Sequence, residues 1–212
     1  MLELLAADPA SLSSVRDPAD VWRVHVEDSL SGLDLVGSPT RLADVGSGAG
    51  FPGLVLAAAL PGTHVDLIES VRRKSAFIER AVAAAGLENA RVVDARSEDW
   101  ALDPDPAGGR EAYEVVTARA VGRLATLAEL ASPLLRDGGL LVAWKGRRDA
   151  EEEAELERAA KRLAMEPERI VDAGELAGSP NRHLHTARKA GPTPPGLPRR
   201  PGIAKKRPFG RG

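Results

Sequence analysis

Short apolar runs alternate with amphipathic stretches through the middle of the chain. The apolar runs predict seven β-strands, at residues 41–45, 64–68, 91–93, 113–118, 140–144, 169–172 and 184–188. Between them, helical spacing of apolar side chains predicts helices at residues 52–60, 71–85, 124–135 and 149–164. Strands that alternate with helices through short connections are typical of an α/β fold with a mainly parallel sheet. Such sheets bind ligands at the carboxyl ends of their strands, near the point where the strand order reverses.

The chain divides into three parts. Residues 1–40 are predicted to be a short N-terminal helical segment, because Asp17-Pro18-Ala19-Asp20 is typical of a helix start and helical spacing follows it. Residues 41–189 carry the strand–helix pattern. Residues 190–212 are rich in proline and glycine, which predicts a tail that is mobile or that orders only on a partner.

Composition narrows the class of protein. The 212 residues are 43% hydrophobic and 28% charged, as in ordinary soluble domains. No apolar run reaches the ~18 residues of a membrane span and no secretory signal is visible, so we expect a cytoplasmic protein without a membrane partner. The absence of cysteine excludes disulfides, cysteine–zinc sites and cysteine nucleophiles. With only four histidines, no metal site is expected.

Charge is distributed unevenly along the chain. The stretch from Arg182 to Gly212 holds nine Lys and Arg, whereas all 31 acidic residues precede it. An acidic body with a basic tail indicates a polyanionic partner for the tail. A solvated, unstructured end is the alternative interpretation of the same pattern.

A glycine-rich loop, Asp44-Val45-Gly46-Ser47-Gly48-Ala49-Gly50-Phe51-Pro52-Gly53, follows the first predicted strand and opens the first predicted helix. Glycines at such a place let the backbone turn sharply and approach a ligand. The loop contains no Lys followed by Ser or Thr, so it is not a phosphate-binding P-loop. Counted from Gly46, the dinucleotide fingerprint would need a glycine where Phe51 stands, but counted from Gly48 its third glycine is Gly53, so the pattern can be forced. Glu69, at the end of the second strand, can accept hydrogen bonds from ribose hydroxyls.

The loop resembles motif I of the S-adenosylmethionine-dependent methyltransferases, and the chain as a whole is similar to a narrower family. That family is the bacterial 16S ribosomal RNA guanine-N7 methyltransferases, known as RsmG or GidB. The similarity covers residues 20–208. The stretches that carry it are His25–Leu30, Asp44–Gly53, Leu67–Ser70 with Lys74, Arg96–Glu98, Val116–Val121, Lys145-Gly146, and Pro198–Gly202 with Lys205-Lys206.

The resemblance implies a Rossmann-like class I methyltransferase fold: a mainly parallel seven-stranded sheet with helices on both faces. It implies S-adenosylmethionine as the cofactor and 16S rRNA or the small ribosomal subunit as the partner. The residues implied around the cofactor are Gly46, Gly48, Phe51, Glu69, Ser97, Glu98 and Arg119. Arg119 would also be the catalytic residue beside the methyl donor. The residues implied near RNA phosphates are Lys145, Arg199, Arg200, Lys205 and Lys206.

Other positions have plainer interpretations. Asp28 and Ser29 are expected to hold the N-terminal segment to the core. His25 is expected to be a packed histidine, and Trp144 a core residue. The region before His25 is shorter than is usual in the family and lacks its Asn-Leu-Thr signature, so a full N-terminal cap over the site is not expected. A monomer is favoured.

The implied reaction needs no acid–base pair. Guanine N7 has a free lone pair and no proton, so catalysis would rest on placing N7 in line with the methyl group. Enzymes that form 5-methylcytosine use a cysteine, and this chain has none. Enzymes that methylate exocyclic amines carry Asn/Asp-Pro-Pro-aromatic where this chain has Thr117-Ala118-Arg119-Ala120. The alternatives are a methyltransferase with a non-RNA substrate, a non-catalytic cofactor- or RNA-binding relative and, more remotely, a dehydrogenase.

Overall fold

The computed structural model of the chain describes residue 4, residues 17–175, residue 177 and residues 181–211. In this part of the chain the strands are β1 Arg41–Val45, β2 His64–Glu69, β3 Ala90–Asp94, β4 Tyr113–Arg119, β5 Leu135–Lys145, β6 Met165–Asp172 and β7 His183–Lys189. The α-helices are α1 Pro18–Val21, α2 Asp28–Leu30, α3 Leu33–Val36, α4 Gly53–Ala59, α5 Arg72–Ala85, α6 Ser97–Trp100, α7 Leu124–Ala131, α8 Ala150–Leu163 and α9 Ile203–Lys206.

The seven strands of the described residues form one sheet in the order β3-β2-β1-β4-β5-β7-β6. Strands β1 to β5 are parallel, and β7 runs antiparallel to both of its neighbours. The predicted α/β fold with a mainly parallel seven-stranded sheet is therefore confirmed. The strand order reverses between β1 and β4, so the carboxyl ends of these two strands mark the expected ligand site.

The sheet is buried on both faces because successive side chains of a strand point to opposite sides. In β1, Leu42 belongs to the core beneath α4 and α5, whereas Ala43 and Val45 belong to the core beneath α7 and α8. In β4, Val115 and Val116 alternate between the two cores in the same way. Helices thus cover both faces of the sheet, as predicted.

Several predicted boundaries are wrong: β6 begins at Met165 rather than at residue 169, and the boundary between α7 and β5 is misplaced. Leu135 was expected at the end of a helix that continues to residue 135, but α7 ends at Ala131 and Leu135 opens strand β5. Pro133 cannot continue the helical hydrogen bonding. Asp137-Gly138-Gly139 was expected to lie before the strand, but it lies within β5, where the register against β4 shifts. Gly138 has a φ of +74°, which lets the strand pass through this irregularity.

The N-terminal segment continues from α1 through a π-helical stretch, Trp22–Glu27, into α2. Val21 and Val26 are buried in the core beneath α4, and the Trp144 indole Nε1 donates to the carbonyl of Asp28 at 2.7 Å. The segment therefore packs on the body of the protein. The helical prediction for residues 5–16 lies outside the described residues.

The C-terminal segment differs from the tail that its composition predicts, because residues 190–211 pack on the body. Lys189 is buried and donates to the carbonyl of Ser132 and to the Thr193 hydroxyl. Arg199 binds both carboxylate oxygens of Glu129, whose side chain is buried. These buried polar contacts hold the segment on the body of the protein. The division of the chain at residues 40 and 190 stays a prediction.

Across the described residues, none of the helices is both long and apolar enough to span a bilayer. The same residues contain no cluster of three or more His, Asp or Glu side chains that could hold a metal ion.

Candidate functional site

The glycine loop turns sharply at the carboxyl end of β1. Gly46, Gly48 and Gly50 have φ values of +67°, +63° and +93°, in the region that side chains other than glycine rarely adopt. The Gly46 N–H donates to the carbonyl of Ile68 in β2 at 2.8 Å. The loop is thereby fixed to the end of the neighbouring strand.

Glu69 ends β2 and is directed back toward this loop. Its Oε2 accepts a hydrogen bond from the Gly48 N–H at 2.9 Å, and its Oε1 accepts one from the Val71 N–H at 2.8 Å. The residue is only 5% exposed. Each carboxylate oxygen has a second lone pair, so Glu69 can accept further hydrogen bonds while its orientation is held.

A buried carboxylate supports the loop from beneath. Asp44 accepts hydrogen bonds from the Thr117 hydroxyl at 2.8 Å and from the Gly53 N–H at 3.2 Å. Burial raises the pKa of Asp44, and these hydrogen bonds oppose that rise. A Cβ on Gly53 would lie 2.2 Å from Leu67 and 2.8 Å from Asp44, so glycine is required there for close packing. The sequence identifies Asp44 only as part of the glycine motif. Its supporting hydrogen bonds to Thr117 and Gly53 become visible in the structure.

A cleft of about 170 Å³ opens beside the loop, at the carboxyl ends of β1, β2 and β3. Gly46, Ser97 and Glu98 line it together with the apolar side chains of Ile68 and Val121. One further wall comes from α7, through Thr126 and Leu130, and another from the C-terminal segment, through Gly202, Ala204 and Lys205. The structure therefore brings Gly46, Ser97 and Glu98 together at one cleft, beside Gly48 and Glu69.

Arg119 lies at the end of β4, across the switch point from the glycine loop. Its Nη1 donates to Asp28 Oδ2 at 2.6 Å and to the carbonyl of Val24 at 3.2 Å. Its guanidinium lies over the ring of Phe51, 5.5 Å from the centroid. Burial lowers the pKa of Arg119 below its ordinary value, and the charge of Asp28 opposes this.

Phe51 is 4% exposed and belongs to the core, so its ring supports the site from within. The ring stacks on His25, with centroids 4.6 Å apart and an interplanar angle of 14°. Burial and the nearby charge of Arg119 lower the pKa of His25 to about 4, so the ring is neutral at neutral pH. These contacts are those of a packed histidine.

Asp28 joins three segments of the chain. Its carboxylate binds Arg119 of β4 and Arg182, which immediately precedes β7. Arg182 also donates to the carbonyl of Lys145 at 3.1 Å. Arg182 was not singled out from the sequence, since nothing in its neighbourhood signals a partner so far away in the chain.

The cations implied near RNA fall into two groups. Lys145 donates to Glu152 at 2.6 Å and to the carbonyl of Gly122 at 2.8 Å, and Arg199 is held by Glu129. By contrast, three further cations are exposed, and they have no ion-pair partner among the described residues: Arg200, Lys205 and Lys206.

The sequence model of one protein family, described as "GidB: rRNA small subunit methyltransferase G", matches residues 4–184. The chain belongs to this family. A relative from Roseiflexus castenholzii, named ribosomal RNA small subunit methyltransferase G, is 43% identical over 200 residues, covering 94% of this chain and 84% of the relative. One of the same name from a Synechococcus strain (JA-2-3B'a(2-13)) is 36% identical over 208 residues, covering 95% and 79%.

Solved structures of methyltransferases share the fold. A SAM-dependent methyltransferase from Aquifex aeolicus aligns with a TM-score of 0.60 at 18% identity, covering 86% of this chain and 99% of that one. A geranyl diphosphate C-methyltransferase from Streptomyces coelicolor also gives 0.60, at 16% identity, covering 86% and 88%. The predicted family and fold class are confirmed, and S-adenosylmethionine is the cofactor.

The residues of the cleft fit this cofactor. Glu69 offers acceptor positions for ribose hydroxyls, and Ile68 and Val121 offer apolar walls for a flat base. Gly48 leaves open space, because a Cβ there would have only the carbonyl oxygen of Gly46 within 4 Å, at 3.7 Å. These acceptor oxygens, apolar walls and open space are compatible with a nucleoside.

Proposed function

We propose that the protein transfers a methyl group from S-adenosylmethionine to N7 of a guanine in 16S ribosomal RNA. The observation that carries the proposal is the family itself, whose relatives are named small-subunit rRNA methyltransferases. Support for N7 comes from the end of β4, where Thr117-Ala118-Arg119-Ala120 replaces the motif typical of exocyclic amine methylation.

In this proposal the carboxyl edge of the sheet orders the cofactor along its length. Glu69 accepts hydrogen bonds from the ribose hydroxyls, and Ser97 and Glu98 border the adenine. Gly46 and Gly48 let the methionine end approach the backbone, while Phe51 supports that end from the core. Because Arg119 lies across the switch point from Glu69, the reacting methyl group is expected on the Arg119 side.

The bound cofactor supplies an electrophilic methyl group on a positively charged sulfur. In the proposed reaction, the N7 lone pair would form the new bond to the methyl carbon while the carbon–sulfur bond would break, its electron pair remaining on sulfur. The positive charge would pass to the guanine without transfer of a proton. The chain therefore needs no general base and acts by positioning and by fixed charge. Arg119 is the proposed catalytic residue, held in place by Asp28 and the ring of Phe51.

On the RNA side, N7 faces the major groove, which is narrow in A-form RNA. The target guanine is therefore expected in a loop, in an accessible junction, or flipped out of its stack. Arg200, Lys205 and Lys206 are the proposed direct phosphate contacts, since they are exposed. Lys145 and Arg199 would contribute charge while they keep their pairs with Glu152 and Glu129. We further propose that the protein acts as a monomer in the cytoplasm.

The test is incubation of the purified protein with methyl-labelled S-adenosylmethionine and small ribosomal subunits that lack the modification. The labelled nucleoside is then identified after complete digestion of the RNA. We expect label in 7-methylguanosine at a single site. Label in another nucleoside would overturn the N7 assignment. Cofactor binding without transfer to any RNA would favour the alternative, a non-catalytic relative that binds S-adenosylmethionine or RNA. Transfer only to a non-RNA acceptor would favour a methyltransferase with another substrate.

A further inference from the structure

A hydrogen bond joins the cofactor cleft to the end of the chain. The Gly202 N–H donates to Glu98 Oε1 at 2.8 Å, across 104 positions of sequence. The other oxygen of the same carboxylate accepts from the Ser97 hydroxyl at 3.3 Å. Glu98 is 8% exposed, and its two oxygens are therefore engaged within the protein. Glu98 therefore has two roles: it borders the cleft, and it holds the C-terminal segment in place.

The stretch that contains Gly202, residues 199–210, is called the C-terminal clamp here. Arg199 anchors it by binding both oxygens of Glu129 on α7. The Phe209 ring lies between the guanidinium groups of Arg199 and Arg162, 3.8 Å and 4.1 Å from its centroid. Ala204 is buried, and its carbonyl accepts from the Thr126 hydroxyl at 3.2 Å. The clamp is therefore fixed to α7 and α8 at several separate points.

The position of the clamp along the cleft identifies the part of the ligand that it faces. Glu69 ends β2, and Arg119 ends β4 on the other side of β1. A ligand whose ribose lies at Glu69 and whose methyl group lies toward Arg119 must direct its base the opposite way, toward β3. That is where Ser97 and Glu98 follow β3, and where Gly202 and Lys205 complete the wall.

We propose that the C-terminal clamp is the adenine-side wall of the cofactor site and couples the binding of cofactor to the binding of RNA. This inference rests on the proposed function for the location of the cofactor. The clamp carries both elements that coupling requires: Gly202 and Lys205 line the cleft, and Arg200 and Lys206 are exposed cations on the same short stretch. RNA phosphates bound to these cations would stabilise the clamp in its closed position. By linkage, cofactor and RNA then raise each other's affinity by the same factor.

The clamp is tested by releasing its anchor without touching the cleft. Arg199→Gln removes the ion pair between Arg199 and Glu129. Neither of these two residues lines the cleft. Arg188→Gln is the matched control, since Arg188 also binds a carboxylate with two nitrogens, that of Glu168 on β6. Binding of labelled S-adenosylhomocysteine is measured by equilibrium dialysis, with melting temperatures as the check on folding. We expect Arg199→Gln to bind about 10-fold more weakly than the wild type, and Arg188→Gln to bind as the wild type does.

A second measurement tests the coupling. The same dialysis is repeated with saturating small ribosomal subunits that lack the modification. We expect the subunits to raise the affinity of the wild type and of Arg188→Gln about 5-fold or more, but to leave that of Arg199→Gln almost unchanged. Wild-type affinity in Arg199→Gln would overturn the clamp as a wall of the site. An equal gain in all three proteins would overturn the coupling.

A third variant separates failure of this inference from failure of the proposed function. Glu69→Gln should bind S-adenosylhomocysteine at least 10-fold more weakly, because an amide offers one acceptor oxygen in place of two. If Glu69→Gln binds as the wild type does, the cofactor does not lie beside Glu69, and the cofactor placement on which the proposed function and the clamp inference both rest fails. If Glu69→Gln loses affinity and Arg199→Gln does not, only the clamp inference fails.

Discussion

Asp28 and Arg119, separated by 91 positions in the chain, form an ion pair at 2.6 Å that joins α2 to the end of β4. Both side chains are largely buried, and the Asp28 carboxylate also binds Arg182. One carboxylate thus fixes the guanidinium nearest the proposed methyl-transfer position. The N-terminal segment contributes to the site by orienting Arg119.

The two arginines on Asp28 allow catalysis to be separated from stability. Arg119→Ala and Arg182→Ala should each lower the free energy of unfolding by about 3 kcal/mol, because each removes a partner from a buried carboxylate. Only Arg119→Ala should lower the single-turnover rate of methyl transfer, by about 100-fold or more. Urea unfolding and single-turnover assays on both variants check this. Equal rate losses in the two variants would assign Arg119 a structural role only.

Two glycines with the same positive φ test the loop. Gly48 and Gly86 both have a φ of +63°, and neither would place a Cβ within 3.4 Å of another atom. Gly48→Val and Gly86→Val should therefore each lower the free energy of unfolding by about 1–2 kcal/mol. Gly86 follows α5 away from the cleft, whereas Gly48 lies beside the cleft and is bonded to Glu69, so only Gly48→Val should abolish binding of S-adenosylmethionine. Calorimetric titration checks this, and unchanged affinity in Gly48→Val would contradict the loop assignment.

His25 makes stability depend on pH in a defined direction. Burial, followed by the charge of Arg119, lowers its pKa from 6.5 to about 4 in the folded protein. As pH falls below 6.5, the unfolded chain takes up a proton that the folded protein does not, so stability decreases. At pH 5 this loss should be about 1 kcal/mol after allowance for solvent around the half-buried ring.

The matched variant for this effect is His25→Phe, which keeps an aromatic ring against Phe51. Its free energy of unfolding, relative to the wild type, should rise as pH is lowered from 7 to 5. Urea titrations at pH 7, 6 and 5 measure the difference between the two proteins. Because His185 titrates in both, its own lowered pKa cancels from the comparison. A constant difference across this range would contradict the shift.

The exposed cations of the clamp should determine part of the salt dependence of RNA binding. Replacing Arg200, Lys205 and Lys206 together with Gln removes three proposed phosphate contacts. The slope of log affinity against log salt concentration should then decrease by about 2, given the release of roughly 0.7 counterion per contact on single-stranded nucleic acid. Fluorescence anisotropy with a 16S rRNA fragment measures the slope. An unchanged slope would mean that these cations do not contact the RNA.

Much of the fold could be predicted from local pattern. Because the central strands are buried on both faces, their sequences are short, mainly apolar runs. Glycine and proline in the connecting loops separate these runs along the chain. The proximity of Gly48 and Glu69 could also be predicted. Gly48 lies in the loop after β1 and Glu69 ends β2, and these two strands are parallel neighbours. Arg119 was predicted at the functional edge for the same reason, because it ends the apolar run of β4.

Contacts that depend on distant partners could not be predicted in this way. Asp28 and Arg182 lie 154 positions apart, and neither lies in a periodic pattern that identifies the other. The composition of the C-terminal segment is that of an unstructured tail, yet Glu129 provides a buried carboxylate that holds Arg199. The start of β5 was misplaced because Gly138-Gly139 reads locally as a turn, whereas pairing with β4 continues across it.

The ion pair between Asp28 and Arg182 also bears on when the site is completed during synthesis. The helical segment that orients Arg119 is synthesised before the strands of the sheet, but its second anchor, Arg182, immediately precedes β7. The clamp that closes the cleft comes later still. Contacts of such long sequence separation form only after the intervening chain has folded. The nascent protein therefore acquires a complete cleft only after the clamp has been synthesised, so a chain that still lacks the clamp does not offer a finished site.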